Sequence, residues 1–159
     1  MKPPRIVNGS ERKLIGRRLI MSFADFKMGE LWSGFMPRRK EIAHPLNNDL
    51  ISLVVYQPDH FQSFKPNNEF ERWSAVEVAN FDQVPTGMET FTLPAGHYAV
   101  FDYQGLNTDP SIFQYFLNTW LPSSEYLLDD RPHFEVLGDK YKNNDPTSEE
   151  EIWIPIRKK

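Results

Sequence analysis

Apolar residues along the chain recur at two spacings, every second residue in some stretches and every third or fourth in others. These are the periods of a strand and of one helical face. Residues 5–23 carry β-branched and large apolar side chains interrupted by Asn8, Gly9 and Ser10, which predicts extended chain with a turn. Between 23 and 42, Met28, Leu31, Trp32 and Phe35 fall three and four residues apart, predicting an amphipathic helix that Pro37 limits or kinks. Residues 50–58 and 68–81 read as strands, so the first half runs strand, helix, strand, strand.

The second half repeats that order. Residues 89–105 are extended, with a turn or bulge offered at Pro94, Ala95 and Gly96. Thr108 or Asp109 is placed to cap a helix with Pro110 at its first position and Ile112, Phe113, Phe116, Leu117 and Trp120 as its stripe. Pro122 marks its end, and residues 131–141 and 149–159 supply two closing strands. The pattern predicts one α+β domain over 1–159, built from tandem pseudo-symmetric strand-helix-strand-strand repeats at about 1–80 and 81–159. An antiparallel sheet would carry both helices on one face, leaving a central ligand cleft between them.

Composition narrows the chemistry. The chain has 159 residues, about one domain. It has no cysteine, which removes disulfides, thiolate nucleophiles and cysteine-bound metals. There is no run of about eighteen apolar residues and no apolar stretch behind the first charges, so the expectation is a cytoplasmic protein without a membrane partner. A net charge of −4 argues against direct nucleic-acid binding, which needs a basic surface. His44, His60, His97 and His133 lack metal-ligand spacing, and neither a phosphate-binding loop nor a dinucleotide fingerprint occurs; no metal or cofactor is expected. The acidic run Glu149–Glu151 reads as the solvated start of a strand. The unusual figure is an aromatic content of 14%, which fits a bulky core or an aromatic-lined cavity.

Residues 75–105, with "LPAGHYAVFDYQG", residues 112–136, with "TWLP" and "RPHFEV", and the closing "EEIWIPI" carry a family pattern in the right order. The chain resembles the GyrI-like family, also described as the AraC-type effector-binding domain. That resemblance implies a tandem-repeat fold with a hydrophobic cleft, found in multidrug-responsive transcription regulators and in single-domain proteins. It also extends to a gyrase inhibitor and to hydrolases of cyclopropanoid compounds. In the drug sensors, the glutamate of the "p.fE.Y" strand engages cationic aromatic ligands; the matching position here is Glu135. The family's aromatic two residues later is Leu137, and Tyr141 lies further along.

Alternation places His133, Glu135 and Leu137 on one strand face, with Phe134 and Val136 on the other. An ionised carboxylate in an apolar cleft is costly unless a cation or donor compensates, so a lipophilic cation held by charge and cation–π contact is the expected guest. Candidate ligand-binding walls are Trp32 and Phe35 on the first helix, Phe116 and Trp120 on the second, and Trp153 on the last strand. Ile152, Ile154 and Ile156 would form the packed face opposite Trp153. Tyr98 is a candidate hydroxyl donor. The leading expectation is a small-molecule sensing or binding domain. Two alternatives stay open: a hydrolase with Glu135 as acid or base and Tyr98 as its partner, and a gyrase-inhibitor-like interaction module.

Overall fold

The computed structural model describes residues 2–159. Among these, nine strands form one antiparallel sheet: β1 (Arg5–Gly9), β2 (Arg12–Met21), β3 (Leu50–Val55), β4 (Phe70–Val78), β5 (Glu89–Leu93), β6 (Gly96–Gln104), β7 (Tyr126–Leu128), β8 (His133–Leu137) and β9 (Glu149–Lys158). The lateral order is β1-β6-β9-β8-β3-β4-β2-β5, with β7 also alongside β9. The unit β2-α-β3-β4 is repeated as β6-α-β8-β9, and the two meet where β3 pairs with β8. The predicted α+β repeat architecture is borne out.

Two breaks in the predicted extended stretches shape the sheet. Residues 5–21 split into β1 and β2, which lie toward opposite ends of the strand order although two residues link them. Residues 89–104 split in the same way at Pro94 and Ala95. A two-residue link spans only about 11 Å between flanking Cα atoms, so the sheet must curl until its ends approach. Each repeat thereby lends its first strand to the other: β1 pairs with β6 and β5 with β2. Gly16 permits the close approach of β2 to β4, since a Cβ there would strike the Ser74 carbonyl and the Ala75 backbone.

The concave face encloses one apolar cluster that includes Leu14, Leu53, Trp73, Tyr98, Phe134 and Trp153. Both helices pack on the convex face. Helix α1 (Met28–Phe35) buries Leu31 and Phe35 against β2 and β4, and Pro37 sits in the 3-10 turn, residues 36–41, that follows. Helix α2 (Ser111–Tyr115) winds on through a π turn at 116–120 and a 3-10 turn at 121–123, so Pro122 lies inside the last turn instead of after it. Ile112 and Phe116 pack on Ala99, Phe101, Ile154 and Ile156. Pro110 stands just before the first helical residue, and Asp109 Oδ1 accepts the Ser111 N–H at 2.9 Å. The short β7 had no alternating signal in the sequence. No helix among the described residues is long and apolar enough to cross a membrane.

Candidate functional site

Where β3 and β8 meet, neither helix covers the sheet, and a cavity of about 140 Å3 remains. Its floor is made by every second residue of the central strands: Ser52 and Val54 on β3, Arg72 on β4, His133 and Glu135 on β8, Glu150, Ile152 and Ile154 on β9. Ile112 and Phe113 of α2 wall one side, and Tyr56, just after β3, walls the other. The expected cleft between two helices is thus half met, because α1 stays away from the cavity. Its place is taken by the loop 57–69. Phe61 of that loop lies 5.1 Å from Phe113, 4.8 Å from Tyr56 and 5.8 Å from His133, ring centre to ring centre. Asn107, on the rim, donates its amide to the Tyr141 hydroxyl at 2.9 Å.

Glu135 lines the cavity, on the floor beside Ser52, its register partner. The other candidates lie elsewhere. Tyr98 packs in the concave core, 5.4 Å from both Phe134 and Trp153, with its hydroxyl donating to the Pro94 carbonyl at 3.3 Å. Alternation along β6 turns it away from Glu135. Trp153 borders the cavity by strand position, but its ring stacks on Phe134 at 5.0 Å under the Arg12 guanidinium. The isoleucine face of β9, read as mere packing, is the face that meets the cavity. Trp32 and Phe35 pack edge to face at 6.0 Å in the cluster beneath α1. Phe116 is fully buried between Phe113 and Trp120, and Trp120 stacks onward on Tyr126. Those four rings hold the helices on the sheet; Tyr56 and Phe113 are the aromatic walls.

Two charged floor residues escaped the sequence reading. Glu150 is only 8% exposed, although it belongs to an acidic run that reads as solvated. The signal was available: Ile156, Ile154 and Ile152 step back by twos to Glu150, which must share their face. Burial, and then the neighbouring Glu135 carboxylate to which it hydrogen-bonds, pushes the Glu150 carboxyl up to about 9. Two neighbouring carboxylates in a dry site cannot both ionise cheaply, so the Glu150 carboxyl keeps its proton well above the ordinary carboxylate range. Arg72 opposes that trend by charge. Its Nε is buried without a hydrogen-bond partner, so the cavity already contains a guanidinium. His133 is driven down to about 3, first by desolvation and then by Arg72, His60 and Arg131; a neutral imidazole completes the floor.

These groups sit on four adjacent strands, β9, β8, β3 and β4. Ser52 and Glu135 pair at the middle of the β3–β8 register. Arg72 is the β4 partner of Val54, and Glu150 stands one register step beyond the Val136–Glu151 pair of β8 and β9, beside Leu137. Serine thus faces glutamate across the β3–β8 seam, with Arg72 one strand out on one side and Glu150 one strand out on the other.

The relatives agree with this architecture. A family model described as integron-associated effector binding protein, Cass2, matches residues 5–156. The transcriptional regulator BrlR of Pseudomonas aeruginosa is 30% identical over 160 residues, 96% of this chain, and the chain spans 54% of BrlR's length. Among solved structures, the EcmrR C-terminal domain superposes with a TM-score of 0.73 at 15% identity, covering 100% of both chains. SAV2435 bound to tetraphenylphosphonium superposes with a TM-score of 0.62 at 17% identity, covering 99% of this chain and 94% of that one. With its repeats, its curled sheet and its seam cavity, the chain belongs to the Cass2 family of integron-associated effector-binding proteins.

Proposed function

We propose that this domain binds lipophilic, cationic small molecules in the seam cavity, with Glu135 and Glu150 as the charge determinants and Tyr56 and Phe113 as the aromatic walls. The observation that carries this reading is a neighbouring carboxyl pair, Glu150 buried and Glu135 half-buried, in a cavity walled by aromatic rings on an effector-binding fold. The proton that Glu150 keeps leaves the empty site near neutral beside Arg72. An arriving cation replaces that proton, recovering charge pairing in a low dielectric where it is strong. The ring faces add cation–π attraction of about 0.5–2 kcal/mol per contact.

A cavity of about 140 Å3 is smaller than the roughly 300–1,000 Å3 of drug-sized sites. A guest the size of tetraphenylphosphonium requires the loop 57–69 to move, withdrawing Phe61 from Phe113. Ligand sensing then has a structural output, the position of this loop. In a longer regulator, such an output would pass to the attached segments.

The test is a calorimetric titration with tetraphenylphosphonium and with tetraphenylborate, a pair of like shape and opposite charge. Binding of the cation alone, weakened tenfold or more in Glu135→Gln, is the expected result. Equal binding of both ions, or a Glu135→Gln variant indistinguishable from wild type, overturns the assignment. Mass analysis of cyclopropanoid compounds after incubation separates a binder from a hydrolase, which would yield a ring-opened product.

A further inference from the structure

The cavity has a neighbour. On the far side of Tyr103 and Glu150, which border both spaces, an open groove of about 730 Å3 runs beside the first residues of β9. Besides Glu150, five carboxylates line it against two lysines, Lys2 and Lys140. Arg5 engages two of the five, Asp102 at 2.6 Å and Glu151 at 2.8 Å, and Lys140 approaches Glu149 at 3.9 Å. Among the described residues Asp49 and Asp139 have no cationic partner. A cluster of surface acids has no meaning as a site by itself, but here one buried group points to a guest. The Glu150 side chain, more than nine-tenths buried, lines the groove and has an Oε2 atom without a hydrogen-bond partner.

We infer that the groove is a second cation subsite, contiguous with the first through Glu150, and that the domain takes elongated dications with one lipophilic cationic head in the seam cavity and the other in the groove. The inference rests on the reading of the cavity as a cation site. It follows from size and charge together. The cavity admits one compact head and little more, whereas the groove is several times larger, open to water and rich in unpaired negative charge. A monocation with an alkyl tail would leave Asp49 and Asp139 unanswered. A second cationic group at the tail's end meets them, while the connecting chain passes Tyr103 and Glu150. Charge at an open groove is screened, so the second head adds discrimination between guests more than it adds raw affinity.

The experiment compares decyltrimethylammonium with 1,10-bis(trimethylammonium)decane, a matched monocation and dication, on wild type and on the double variant Asp49→Asn, Asp139→Asn at low ionic strength. Both substituted residues lie outside the seam cavity, and monocation binding doubles as the check on folding. Dication affinity should fall about fivefold or more in the variant, monocation affinity should change less than twofold, and 0.5 M salt should erase most of the difference. Equal losses for both ligands would mean a diffuse field in place of a subsite and would overturn the inference, as would an unchanged dication affinity. If wild type binds neither compound, the cavity reading itself falls and the subsite with it. Binding of the monocation with no response of the dication to the variant removes the subsite alone.

Discussion

At the residue scale, Glu150 sets the pH behaviour of the molecule. Its carboxyl is raised to about 9 by burial and by Glu135, whereas in the unfolded chain it titrates near 4.3. Below that unfolded value both states carry the proton and Glu150 imposes no penalty. As pH rises towards 9 the folded state alone retains it, and stability declines. Glu150→Gln should therefore be more stable than wild type at pH 8, on the order of 1–2 kcal/mol, with the gain gone by pH 4; denaturant unfolding at the two pH values measures this. His133 acts with the opposite sign. Its imidazole is held down to about 3, so acidification below about 6.5 draws protons to the unfolded chain and lowers stability. Between roughly pH 4.5 and 6.5 the two slopes oppose each other, and the wild-type stability profile should be flattest there. Ligand binding carries the same signature: a cation that displaces the Glu150 proton binds more tightly as pH rises from 6 to 9. Proton release in buffers of different ionisation enthalpy checks it, and Glu150→Gln should lose the dependence.

At the scale of elements, the loop 57–69 stands where a second helix would otherwise wall the cavity. Phe61 fixes it through ring contacts to Phe113, Tyr56 and His133. Phe61→Ala should speed association of tetraphenylphosphonium severalfold by stopped-flow fluorescence, at a stability cost of about 1 kcal/mol for a half-buried ring. This loop was invisible in the sequence because its aromatics, Phe61 and Phe64, follow no strand or helix period. The strands and α1 were legible, since alternation and the Met28–Phe35 stripe state which side is buried. For Glu135, alternation gave its strand-mates, and the family resemblance implied the ligand-binding role proposed above. The aromatic walls were misplaced for one physical reason. A large ring at helical spacing marks a buried face without saying whether that face meets a ligand or the sheet, and Trp32, Phe35, Phe116 and Trp120 meet the sheet or one another. Glu150 was missed because three consecutive acids look solvated until the register of the following isoleucines is traced back through them.

At the scale of the whole molecule, the exchange of β1 and β5 makes each repeat incomplete. Residues 81–159 alone would lose β1 from the flank of β6 and β3 from the flank of β8, baring two edges and half of the concave core. That fragment should show no cooperative thermal transition by circular dichroism, while the full chain unfolds in one step, because the boundary between the repeats crosses three strand pairings, β1–β6, β2–β5 and β3–β8. Gly16→Ala should reveal the same tightness at one point: the collision with the Ser74–Ala75 backbone strains β2 against β4, and an unfolding midpoint lowered by several degrees is the expected reading.

The unlike charges on the two sides of the cavity floor have a last consequence. A shell of near-twofold shape would welcome a guest either way round. Its interior, with Arg72 on β4 at one side and Glu150 on β9 at the other, is instead marked like a compass housing with a fixed north. On the proposed reading of the cavity, an unsymmetrical cation should settle with its positive end towards Glu150 on β9 and away from Arg72 on β4, in one orientation.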